Sequence, residues 1–144
     1  MSAHHYEEDF YAWTQEQAAL LKAGRLDGVD TDHLIEELEA MGARERRELT
    51  NRLVVLLVHL LKWRYQPERR GNSWRLTIEV QRMDVAGLLE DNPSLKSVID
   101  ACFYKAYKKA ILLAARETGF SKPTFPPMPP FTLAEALAAD FWPQ

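Results

Sequence analysis

Leucine and valine fill positions 53, 54, 56, 57, 58, 60 and 61 of the chain. At ~100° per residue these seven surround most of a helix. With His59 set at zero, Glu48, Arg52, Lys62 and Gln66 fall within about 60° of it, and Val55 lies among them. The spacing therefore predicts a helix over about 43–66 that is apolar nearly all round and carries one polar seam. Pro67 marks its end.

The same reading gives helices on either side. Tyr6, Phe10, Trp13, Ala18, Leu20 and Leu21 recur at helical spacings, and Gly24 supplies a stop. Asp30 or Thr31 caps a second helix with Leu34, Ile35, Leu38 and Met41 on one face, and Gly42 ends or bends it. Trp74, Leu76, Ile78 and Val80 alternate with polar residues, the period of a half-buried strand. However, no second strand is available to satisfy its backbone, and Ser73 is a good N-cap, so the segment is assigned to a helix over 74–91. Pro93 and Ser94 open a further helix whose apolar stripe runs to a glycine stop at Gly119. Five prolines in "FSKPTFPPMPPF" demand an extended chain, anchored by Phe120, Phe125, Met128 and Phe131, before Thr132 caps a last short helix. The prediction is an all-α, single-domain bundle, residues 1–144. Five to six helices surround the long one, and a proline-rich segment at 119–131 packs on them.

Composition supports one soluble domain: 144 residues, 47% hydrophobic and 27% charged. Charge changes the picture more. Residues 1–42 carry ten acidic and two basic groups, whereas residues 43–82 carry ten basic and four acidic ones, within a net charge of −3. Either the two segments meet through their charges, or the basic one faces an anionic partner. A sequence pI near 5.8 favours the first. The lone Cys102 allows no internal disulfide, and the opening "MSAHHYEEDF" lacks the pattern of a signal peptide. The apolar run at 53–61 is far shorter than the ~20 residues that span a bilayer. A cytoplasmic protein with no membrane association is expected.

Three readings of the seam follow. It is a solvated face with Glu48 and Arg52 as an i,i+4 pair; or a cleft where Arg52, Lys62 and Arg70 hold an anion; or an enzyme site in which His59 exchanges protons. No nucleophile stands at a recognisable spacing from His59. His33 and Glu37 at i,i+4 lack the matching pair on a second helix that a metal site of the bundle type needs, and His4 and His5 beside acidic residues sit at a terminus. The glycines are scattered, so no phosphate-cradling loop is present. Trp63 and Trp74, interleaved with Lys62, Arg64, Arg69, Arg70, Arg75 and Arg82, fit core anchors and cation–π partners better than a base-stacking surface.

The motifs "YEEDFYAWTQEQAALLKAG", "LIEELEAMG", "LLVHLLKW", "QPERRGNSW", "NPSL", "AARETG" and "FTLAEALAADFWP" occur in this order along nearly the whole chain. On them the sequence resembles the bacterial domain-of-unknown-function family twenty-nine. Positions matching the family's motifs include Glu36, Glu37, Gly42, His59, Leu60, Lys62, Trp63, Gln66, Pro67, Ser73, Trp74 and Arg82. The resemblance implies an all-helical domain. It brings no assigned activity, cofactor or catalytic residue, so no site is carried over.

The residues favour a non-catalytic binding module. Its candidate face is Glu48, Arg52, His59, Lys62, Gln66, Arg70 and Arg82, and its partner a protein or an anionic ligand, with nucleic acid less favoured. No metal or cofactor is implied. The alternative is an enzyme, acting on nucleic acid, that uses His59 with Glu36 or Glu48.

Overall fold

Asp9 divides the first predicted helix in two. In the computed structural model, which describes residues 2–144 with side chains from His5 onward, α1 (Ser2–Glu8) stops there and α2 (Phe10–Lys22) begins. The Asp9 carboxylate accepts from the Ala12 amide at 3.0 Å, a side-chain cap that competes with helix continuation. Gly24 then takes a left-handed φ of +74°, where a side chain would be strained.

The third helix, α3, runs unbroken over Thr31–Tyr65. Gly42, read from sequence as an end or a bend, lies inside it, so the long helix begins at Thr31 rather than near Ala43. After it come α4 (Asn72–Asp91), α5 (Ile99–Thr118) and α6 (Leu133–Leu137), joined by short 3-10 turns. The described residues form six α-helices and no strand.

By its contacts the chain divides into two units, one ending at Arg44 and the other Glu45–Gln144. The first is held by polar and aromatic contacts. Trp13, 2% exposed, donates its Nε1–H to Asp30 Oδ2 at 3.0 Å, and the Asp30 amide donates to Gln17 Oε1 at 2.7 Å. The Tyr6 ring stacks on His33 with centroids 3.8 Å apart. Ile35, Leu38 and Met41, predicted to face a core, are exposed.

The second unit has the larger core. Leu53, Val54, Leu56, Leu57, Val58, Leu60 and Leu61 of α3 are at most 4% exposed, as the all-round pattern requires. They pack with Ile78 and Val85 of α4 and with Phe103, Ala106, Tyr107 and Ala110 of α5. In α4 the helical period splits the alternating residues: Trp74 and Ile78 turn to the core, while Leu76 and Val80 remain exposed. Val98 separates a 3-10 turn, Pro93–Ser97, from α5, so the helix predicted from Ser94 starts at Ile99. Gly119 ends α5 with φ +79°. In the proline-rich segment Phe125 and Phe131 are buried, Phe120 is partly so, and Met128 points outward. Tyr107 donates its hydroxyl to Pro126 O at 2.6 Å, which ties the segment to α5. Thr132 and Glu135 form a reciprocal capping box at α6.

Candidate functional site

The polar seam of α3 meets α4 and α5 residue by residue. Arg52 Nε donates to Glu48 Oε1 at 2.9 Å, one turn back on the same helix. Its Nη1 reaches Asp84 Oδ2 of α4 at 3.1 Å. Lys62 Nζ donates to Glu117 Oε1 of α5 at 2.9 Å and sits 4.9 Å from the centroid of the Trp74 ring. Lysine and arginine at these sites are thus matched by carboxylates and an aromatic face.

His59 lies between these pairs. Its Nδ1 is 2.8 Å from Val55 O, an acceptor, so Nδ1 carries the proton and Nε2 is left with its lone pair. Burial pushes the imidazole below its ordinary value. The Val55 carbonyl opposes this, Lys62 adds to it, and Glu117 pulls the other way. The net shift favours the uncharged ring.

The remaining candidates have different surroundings. Gln66 is buried just beyond α3. Arg70 donates Nε to Trp63 O at 2.6 Å and Nη2 to Pro143 O at 3.3 Å, with its guanidinium 5.4 Å from the Trp63 ring. Arg82, 7% exposed, donates to Ala136 O and Phe141 O at 2.8 Å each and to Ala139 O at 3.5 Å, 5.3 Å from the Trp142 ring. Trp142 itself lies 4.7 Å from Trp63. These two arginines tie the closing "DFWP" segment onto the helices, and desolvation shifts the Arg82 pKa downward. The seven candidates thus sort into Glu48, Arg52, His59 and Lys62 along the seam, and Gln66, Arg70 and Arg82 inside the packing.

Glu48, one of the partners named for a catalytic His59, is not brought to it as a proton relay. Glu48 is three turns away on the same helix, about 16 Å along its axis, and is held by Arg52. Glu36 belongs to the first unit, where its Oε2 is 3.3 Å from the Tyr6 hydroxyl.

A second polar cluster occupies the first unit. Tyr6 donates to Glu37 Oε2 at 2.6 Å, and that bond, more than burial, pushes its pKa up. His33 Nδ1 is 2.7 Å from Asp30 Oδ2. That hydrogen bond lifts the His33 pKa against the pull of burial. Burial pushes Asp30 up, but bonds from His33 and Trp13 outweigh it and hold the carboxyl low. His33 and Glu37, considered as metal ligands, are thus turned to different partners. Among the described residues no three His, Cys, Asp or Glu side chains converge as a metal site. The His4 side chain lies outside the described residues.

Sequence reasoning missed Glu117 and Asp84 as partners of the seam, and the backbone carbonyls near the C-terminus that hold Arg70 and Arg82. It also missed a row on α4: Leu76, Val80 and Met83, all exposed, fall at i, i+4 and i+7, and Gly87 continues it at i+11. These four lie within about 60° of one another around the helix. Val80 is one turn from Asp84, so the row borders the seam. An open groove of about 530 Å³ between the start of α5 and Met128–Glu135 takes in no seam residue. No described helix is long and apolar enough to cross a membrane.

No curated protein and no solved structure matches the chain. The model of the family described as domain of unknown function DUF29 does match, over residues 5–142, and the chain belongs to that family.

Proposed function

We propose that this domain is a non-catalytic binding module that takes a helical segment of a partner protein along α4, against the edge of the α3 seam. The observation that carries the reading is the exposed row Leu76, Val80 and Met83, one turn from Asp84, which pairs with Arg52 of the seam. Apolar residues at i, i+4 and i+7 on a solvent-facing helix side match the spacing by which one amphipathic helix grips another. Gly87 extends the row with open space where a Cβ would be, which leaves room for a close backbone approach.

Anionic ligands and nucleic acid fit this surface less well. Phosphate binding needs cations free to replace counterions. Arg52 is committed to Glu48 and Asp84, Lys62 to Glu117, and Arg70 and Arg82 to backbone carbonyls. The test is co-isolation of partners from the source cells with wild type, Val80→Asp and Met83→Asp. Both side chains are exposed, so the fold survives and a protein retained by wild type is lost from both variants. Equal recovery with all three would contradict the reading. Retention on RNA or DNA at low salt, declining as salt is added, would replace it with the nucleic-acid alternative.

A further inference from the structure

The exposed stretch of α3 from Ile35 to Arg46 raises a separate question. Ile35, Leu38 and Met41 are 49%, 65% and 53% exposed. Gly42 sits among them inside a continuous helix, where glycine costs about 1 kcal/mol relative to alanine. Nothing among the described residues calls for it. Its φ is not positive, and a Cβ built there meets nothing within 4 Å. Glycine at the middle of an exposed apolar helix face is what a second helix needs in order to cross closely.

The charges identify that second helix. At ~100° per residue, Ile35, Leu38 and Gly42 share one side of α3, with Glu39 and Arg46 together along one margin. Glu39 lies three residues before Gly42 and Arg46 four after it. Two copies of the helix crossing antiparallel about Gly42 would therefore set Glu39 of each beside Arg46 of the other. Twofold symmetry makes the pair twice. In a parallel pairing the twofold axis would run along the helices and put these charges of the two copies on opposite flanks, where they do not meet. The opposite side of the helix is already in use, since Glu36 and Glu37 receive Tyr6.

We infer that the protein forms a symmetric homodimer in which α3 crosses its counterpart antiparallel at Gly42, with Ile35 and Leu38 covered and two Glu39–Arg46 pairs across the interface. This surface is distinct from the α4 row proposed for the partner protein.

Sedimentation equilibrium over the micromolar range tests it. The wild type is expected to dimerise, and Leu38→Glu to be monomeric with unchanged helix content. Glu39→Arg and Arg46→Glu should each weaken the dimer about tenfold, because each replaces two attractions by two repulsions. An equimolar mixture of these two variants should recover wild-type affinity, since both pairs are again opposite in sign. A monomeric wild type, or a dimer indifferent to Leu38→Glu, would overturn the inference. Single reversals without effect would overturn the antiparallel arrangement and its Glu39–Arg46 pairs.

Discussion

Arg82→Met is the substitution that asks most sharply what the basic residues do. Methionine keeps a long apolar stem and removes the guanidinium. Two bonds of 2.8 Å, to Ala136 O and Phe141 O, are lost, together with a weak one to Ala139 O. Hydrogen bonds to a charged donor contribute about 1.5–3 kcal/mol each. Relief of the cost of burying the guanidinium offsets part of the loss, but the stranded Ala136 carbonyl lies in a buried segment and adds its own penalty. A net destabilisation of about 3 kcal/mol follows. Urea unfolding followed by tryptophan fluorescence reads it well, because Trp142 lies against both Arg82 and Trp63. Arg64→Met is the control: that arginine is exposed and borders the Tyr65 ring, so a change of about 0.5 kcal/mol or less is expected. If Arg82→Met matched the control, the arginine would be no tie, and the assignment of the basic residues to packing would fail.

The two histidines should respond to pH with opposite signs. His33 is raised by Asp30, so its contribution is full below an unfolded value of about 6.5 and fades as pH rises through its folded one. His59 is lowered by burial, so its contribution is full above about 6.5 and is lost as pH falls through its folded value. Urea midpoints for His33→Gln and His59→Gln between about pH 5 and 8 should therefore diverge from wild type in opposite directions of slope. Gly87→Ala should raise stability by about 1 kcal/mol in chemical denaturation, since no atom lies within 4 Å of the new Cβ. Tyr107→Phe should lower stability by about 1 kcal/mol through loss of the bond to Pro126 O, and the absorbance change of Tyr107, whose ionisation burial pushes up to about 12, should vanish from the alkaline titration.

What was legible in the sequence was what local periodicity encodes. Seven apolar positions around one helix must be buried together, and the residues from Leu53 to Leu61 are. Helix at Trp74–Val80 followed from the lack of a strand partner, although alternation alone pointed the other way. Alternation also hid the α4 row, because the same four residues divide between core and solvent once the period is 3.6 rather than 2. Gly42 misled: an exposed helix interior tolerates glycine at modest cost when neighbouring turns hold. The partners of Lys62 and Arg82 could not be read at all. Glu117 is 55 residues from Lys62 and Ala136 is 54 from Arg82, and no pattern along the chain links such positions.

The binding reading is tested most directly by placing a photo-crosslinking amino acid at Val80, with a second chain carrying it at exposed Lys109 of α5 as reference. Irradiation in the source cells should give a discrete protein adduct from Val80 and none from Lys109. Adducts of equal yield from both positions, or none from Val80 while the protein is folded and expressed, would contradict recognition along α4.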